Sequence, residues 1–204
     1  MTLKLAACLA ACAALSACSI LPEPKPADIV YRLSVSGQSA APNQNAAVVR
    51  VDRPSATTVF NTRSIIVSPD GRRLSTAAQA RFPETIPLMV QEMLIDKMAR
   101  SPLVVGVGPA AGTRSETRVH LTIKNFEAQF DRGETQPPLA IVGYTATLAN
   151  AADRELLSSF VVQKTVRSDA IRVSEIVEAL EQANDQALAD VVTWLEKNAR
   201  SGEI

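Results

Sequence analysis

Cys18 is the residue whose surroundings prescribe a reaction. It directly follows Leu15, Ser16 and Ala17, which close an apolar run from Leu5 to Ala14 behind one early charge, Lys4. A short basic start, an apolar segment and small residues make a secretory signal, and the cysteine at its end changes its meaning. The run is too short to span a membrane, which takes about 20 residues. The other candidate groups do not assemble into a site. His120 is the single histidine, and it shares the polar side of its segment with Thr122 and Lys124. With no second histidine and no cysteine after Cys18, a zinc set cannot be built. Gly106-Val107-Gly108, followed by Pro109-Ala110-Ala111-Gly112, lacks the lysine and helix start of a phosphate loop and reads as a loop. Carboxylates are scattered without pairing, so neither a catalytic set nor a cofactor site is expected.

Leu15-Ser16-Ala17-Cys18 resembles the lipobox of bacterial lipoproteins. The resemblance implies that the Cys18 thiol receives a diacylglycerol, that the chain is cut before it, and that the new amine takes an acyl chain such as palmitate. Several acyl chains anchor firmly where one alone is marginal. Residues 1–17 are then the signal peptide. Residues 18–28 read as a tether, with Pro22, Pro24 and Pro26 alternating with Glu23, Lys25 and Ala27. Prolines at that density keep a chain extended at about 3 Å per residue, so the tether reaches up to about 30 Å.

Residues 29–200 are enough for one domain. Lys and Arg number 21 and Asp and Glu 21, so the chain is neutral and has no electrostatic footprint for nucleic acid. Cys18 is the only cysteine after the signal, so no disulfide is available and the core alone must hold an exported domain together.

The expected class is α+β: an antiparallel sheet of about six to eight strands with two main helices on one face. Ile29, Tyr31, Leu33 and Val35 alternate with polar partners and predict a first strand over 29–36. Further strands are expected at 47–51, within 58–67, around 73–76, at 103–107, 117–130, 139–148 and 156–166. Pro69-Asp70-Gly71 turns a hairpin. Ile86, Met89, Val90, Met93, Leu94 and Met98 share one helical face. Its three methionines suit a core face better than a soft lipid-binding surface. A closing helix over 171–199 carries Ser174 as expected N-cap, and Trp194 at the core's edge. Arg32, Ser34, His120, Thr122 and Lys124 point to a sheet whose other face is partly polar.

A family resemblance covers most of the mature chain. Tyr31-Arg32-Leu33, Val49-Arg50-Val51-Asp52-Arg53-Pro54, Asn61-Thr62-Arg63-Ser64-Ile65, Ala78-Gln79-Ala80-Arg81-Phe82-Pro83-Glu84 and Val177-Glu178-Ala179-Leu180-Glu181-Gln182-Ala183 follow in an order that resembles the ABC-type transport auxiliary lipoproteins. Ala80-Arg81-Phe82 stands where that pattern has Ala-Arg-Trp. The resemblance implies a noncatalytic, lipid-anchored periplasmic component of an MCE-type lipid transport system. Its partners would be an MCE-domain protein, an ABC permease and its ATPase, with self-association a further possibility. Arg63 and Arg81 lie at family-like positions to which the sequence assigns no role, membership of structural ion pairs being one reading. By resemblance to the sorting rule that retains lipoproteins with aspartate after the cysteine, Ser19 implies the outer membrane rather than the inner. Two other readings stay open: a structural or chaperone lipoprotein of an outer-membrane assembly machine, and an envelope hydrolase whose site hides in a serine or carboxylate.

Overall fold

The computed structural model describes residues 27–199. The first half holds β1 (Ile29–Val30), β2 (Ala47–Val51), β3 (Ser55–Ala56), β4 (Ser64–Ser68), β5 (Ser75–Arg81) and α1 (Ile86–Met98). The second holds β6 (Val104–Val107), β7 (Thr117–Gln129), β8 (Leu139–Asn150), β9 (Leu156–Arg167) and α2 (Val173–Asn198). The fold is α+β, with both helices on one face of a single sheet.

β7 is the hub of that sheet. Along one side it meets β2, β3 and β4 in succession, all parallel. Along the other it pairs antiparallel with β8, which pairs antiparallel with β9. The expected meander of three long strands is therefore present. The sheet as a whole is mixed: β2–β6 and β1–β5 are also parallel, and only β4–β5 adds a further antiparallel pair. β2 and β6 run parallel because the chain between them crosses the helix layer through α1.

Side-chain alternation along β7 sets the two faces. Val119, Leu121 and Ile123 are buried against the helices, and His120 and Thr122 point the other way. A bulge between Ile123 and Asn125 shifts the phase, so that Phe126 and Ala128 take over the core positions. β8 supplies Val142, Tyr144, Ala146 and Leu148. From α2 come Leu180, Leu188 and Leu195, each fully buried and each stabilising the fold by about 1.5–3 kcal/mol through removal from water. Met89, Met93 and Met98 are buried on α1, which makes them core fillers. Phe82, on the stretch leading into α1, meets Phe126 edge to face at 6.1 Å, so the phenylalanine serves as a core aromatic.

Five local expectations are corrected. Only Ile29–Val30 of the stretch 29–36 is strand; beyond the Tyr31 N–H bond to Arg81 the chain to Ser36 leaves the sheet, and Ile29 is exposed. Thr58 to Arg63 is a turn, and strand begins at Ser64. The hairpin's second strand starts at Ser75 and runs to Arg81, not from 73 to 76. Ser174 is not the cap of α2: the helix starts at Val173 with Arg172 in the cap position, and no side chain caps it. Glu175 supplies the favourable negative charge in that first turn instead. Gly106, read as part of a loop, sits in β6, where a Cβ would come within 2.9 Å of Met98 Sδ. Its role is close approach of α1 to the sheet.

Candidate functional site

The place where the tether enters the domain is fixed by two kinds of contact. β1 lies parallel to β5, and the Tyr31 N–H donates to the Arg81 carbonyl at 2.9 Å. The Arg81 guanidinium meets the Asp28 carboxylate at 3.4 Å. Arg63 pairs with Glu84 at 3.1 Å. Both arginines are thus ion-pair members, Arg81 at the entry of the tether and Arg63 bridging the turn before β4 to the start of α1. Cys18, Ser19 and the rest of the tether to Pro26 lie outside the described residues.

Beyond β1 the chain becomes a strap across the helix layer. The Ser34 N–H and Oγ donate to the Glu181 carboxylate at 2.9 and 3.0 Å. The Ser36 N–H and Oγ donate to Asp185 at 3.0 and 2.5 Å. The spacing explains the match: two residues of extended chain advance about 6.7 Å and four residues of helix about 6 Å, so i and i+2 of the strap meet i and i+4 of α2. Leu33 is buried beneath the strap, and Tyr31 and Val35 pack on the same core. Lys97 of α1 closes the clamp with a 2.7 Å bond to Asp185. Burial pushes the Asp185 carboxyl up, but the bonds from Lys97 and Ser36 outweigh it and hold the group below its usual range. Arg100 adds bonds to the carbonyls of Gly37 and Val35 at 2.9 and 3.2 Å. The helix carboxylates thus stand where a neighbouring strand would supply carbonyls.

The sheet's second face is uncovered among the described residues over β7, β8 and β9. In-register rows cross it: Ser55, Thr122, Thr145 and Val161, and His120, Thr147 and Ser159. On β9, at the margin of this face, Val161 stands 70% exposed and Leu157 43%. Among the described residues β9 pairs with β8 alone and leaves a strand edge open. On its inner side β9 is tied to α2: Phe160 stacks on Trp194 at 5.8 Å, and Lys164 pairs with Asp190 at 2.7 Å. Trp194 accordingly sits at the core's edge. Arg167 pairs with Asp131, whose carboxyl those bonds hold below its usual range.

Within this face His120 is half-buried, with Nε2 3.0 Å from Ser55 Oγ. Among the described residues it has no carboxylate partner that would complete a triad with Ser55. Further along, Glu127 is 8% exposed with one bond of 3.5 Å from the Asn125 amide. Burial pushes its carboxyl above the usual range, and the Asn125 bond opposes that only in part. Among the described residues no group of three or more His, Cys, Asp and Glu gathers as for a metal. No helix there is long and apolar enough to cross a membrane. What the arrangement does offer is a broad polar face, an open strand edge and a fixed point of tether entry.

Residues 31–192 match the family model for the ABC-type transport auxiliary lipoprotein component. The chain belongs to that family. Solved structures agree on the fold. The auxiliary lipoprotein is similar to protein XCC0632 from Xanthomonas campestris, with 18% identity, a TM-score of 0.73, and coverage of 85% of this chain and 98% of that one. It is also similar to the hypothetical protein CT253 from Chlamydia trachomatis, with 9% identity, a TM-score of 0.53, and coverage of 77% and 99%. No curated protein matches it. The strap carboxylates Glu181 and Asp185 were not singled out by the sequence as functional; their i, i+4 spacing on the polar side of α2 was the available signal.

Proposed function

We propose that this auxiliary lipoprotein is the noncatalytic, lipid-anchored docking component of an ABC/MCE-type lipid transport system. The match of residues 31–192 to the auxiliary family carries this reading. Cys18 would hold the chain in the membrane, and Ser19 favours the outer membrane with the domain facing the periplasm. The tether's length and its entry beside β5 keep the domain within about 30 Å of the bilayer. Transport energy would come from the system's ATPase, since the domain's contribution is position and contact. The uncovered face of β7, β8 and β9 is the surface left for an MCE protein or permease, because the opposite face is filled by α1, α2 and the strap.

The test is a crosslinking pull-down of the intact lipoprotein from its own membranes, read by mass spectrometry. Recovery of an MCE protein together with permease and ATPase is the expected result. Recovery of an outer-membrane barrel protein alone would replace this reading with that of a structural or chaperone lipoprotein of an assembly machine.

A further inference from the structure

The uncovered face holds a cluster of basic groups that docking alone does not use. A depression of about 190 Å³ opens there, walled by Asp52, Arg118, His120, Thr147, Ala149 and Arg154. Arg118 donates from Nε at 2.6 Å to one Asp52 oxygen, its Nη2 lies 2.5 Å from the same oxygen as an ion pair, and Arg50 approaches the other at 3.8 Å. Asp52 is thereby neutralised by two cations, and its effect is to hold the Arg118 guanidinium in place along the wall. The Arg118 Nη1 group has no acceptor among the described residues.

Arg154 supplies the second observation. Among the described residues it is one of two non-glycine residues with positive φ, at +65°, in a region where glycine costs less. The turn imposes that geometry: Arg154 N–H donates to the Asn150 carbonyl at 3.1 Å, and Asn150 N–H to the Glu155 carbonyl at 2.9 Å. Asp153 is engaged elsewhere, accepting the Glu155 N–H at 3.0 Å. The Arg154 guanidinium has no carboxylate within ion-pair distance among the described residues. An arginine thus occupies a position suited to glycine, at the rim of a pocket that already holds Arg118 and His120.

We propose that this depression binds a phosphate group. The Arg154 guanidinium fork and the Arg118 Nη1 group offer donors that match phosphate oxygens, and His120 and Thr147 line the same hollow. Its volume of about 190 Å³ is ample for one phosphate with water. The phosphate is either that of a phospholipid headgroup or a free ion, and the two share this recognition chemistry. The proposal stands apart from the transport reading, since it needs no partner protein.

The experiment uses the full chain in detergent, titrated calorimetrically with inorganic phosphate and with water-soluble dihexanoyl phosphatidylglycerol. The variant is Arg154→Gly, which keeps the turn geometry and removes the cation. Expected are saturable phosphate binding, a loss of tenfold or more in affinity in the variant, and no fall in its thermal midpoint. If the short phospholipid competes with phosphate, the headgroup is the source; phosphate binding without competition assigns the site to the free ion. Absence of saturable binding by either probe, or equal affinity in wild type and variant, overturns the proposal.

Discussion

The strap should come loose when its two carboxylates are removed. Glu181→Ala with Asp185→Ala deletes the bonds to Ser34 and Ser36 and the Lys97 partner. A hydrogen bond to a charged group contributes about 1.5–3 kcal/mol where it is shielded. The strap is solvent-facing, and exposed ionic contacts are worth about 1 kcal/mol or less. Together the two carboxylates should therefore contribute about 2 kcal/mol. For a domain of this size that lowers the thermal midpoint by about 4–8 °C. The local effect is sharper: 2 kcal/mol corresponds to about 30-fold faster amide exchange at Ser34 and Ser36, read by hydrogen–deuterium exchange. The sign with pH follows from Asp185, whose folded value is depressed. Its contribution is present above the unfolded carboxylate range and is lost as pH falls through the folded value, so the wild-type strap loosens only in acid. Unchanged exchange at Ser34 and Ser36 in the double variant would refute the reasoning, whatever happens to the midpoint.

Other outcomes follow from single residues. Tyr144 donates to Asn184 at 2.6 Å in the core, so Tyr144→Phe leaves a buried oxygen unpaired and should cost about 1–3 kcal/mol in denaturant unfolding. Leu180→Ala should cost about 2–5 kcal/mol by opening a cavity between α2 and the sheet. Glu127 has a folded value raised above 4.5, so the native carboxyl is favourable below that value and loses its advantage as pH rises through the folded value. Glu127→Gln should therefore be more stable than wild type at neutral pH and equal to it near pH 4, by thermal melts across that range. Cys18→Ser should move the chain from the membrane pellet to the soluble fraction on cell fractionation.

The sequence showed what local periodicity and turn chemistry encode. The 3.6-residue pattern from Ile86 to Met98 and the period-two runs of β7, β8 and β9 became those elements because each has one buried side. The stretch after Val30 shows the limit. Leu33 and Val35 alternate with Ser34 and Ser36 because they pack on the core, and that pattern is the same whether a strand or two helix carboxylates satisfy the backbone. Parallel pairs such as β2 with β6 have no shared turn to announce them. The bulge after Ile123 hid Glu127 by moving the core phase from odd to even positions, and the switch from Ile123 to Phe126 was its only trace. His120 was placed correctly on the polar side. Nothing local joined it to Arg118 and Arg154, which the sheet and the turn after β8 bring to one hollow.

The most direct test of the account puts a photo-crosslinking amino acid at Val161, the apolar residue that stands 70% exposed on the edge strand of the uncovered face, and separately at Glu178 on the exposed side of α2. Irradiation of intact cells should join the Val161 variant to an MCE-domain or permease subunit, while the Glu178 variant gives no such product. Capture of that subunit from Glu178 and not from Val161 would contradict docking through the sheet face, and capture of a barrel protein from Val161 would contradict the transport role itself.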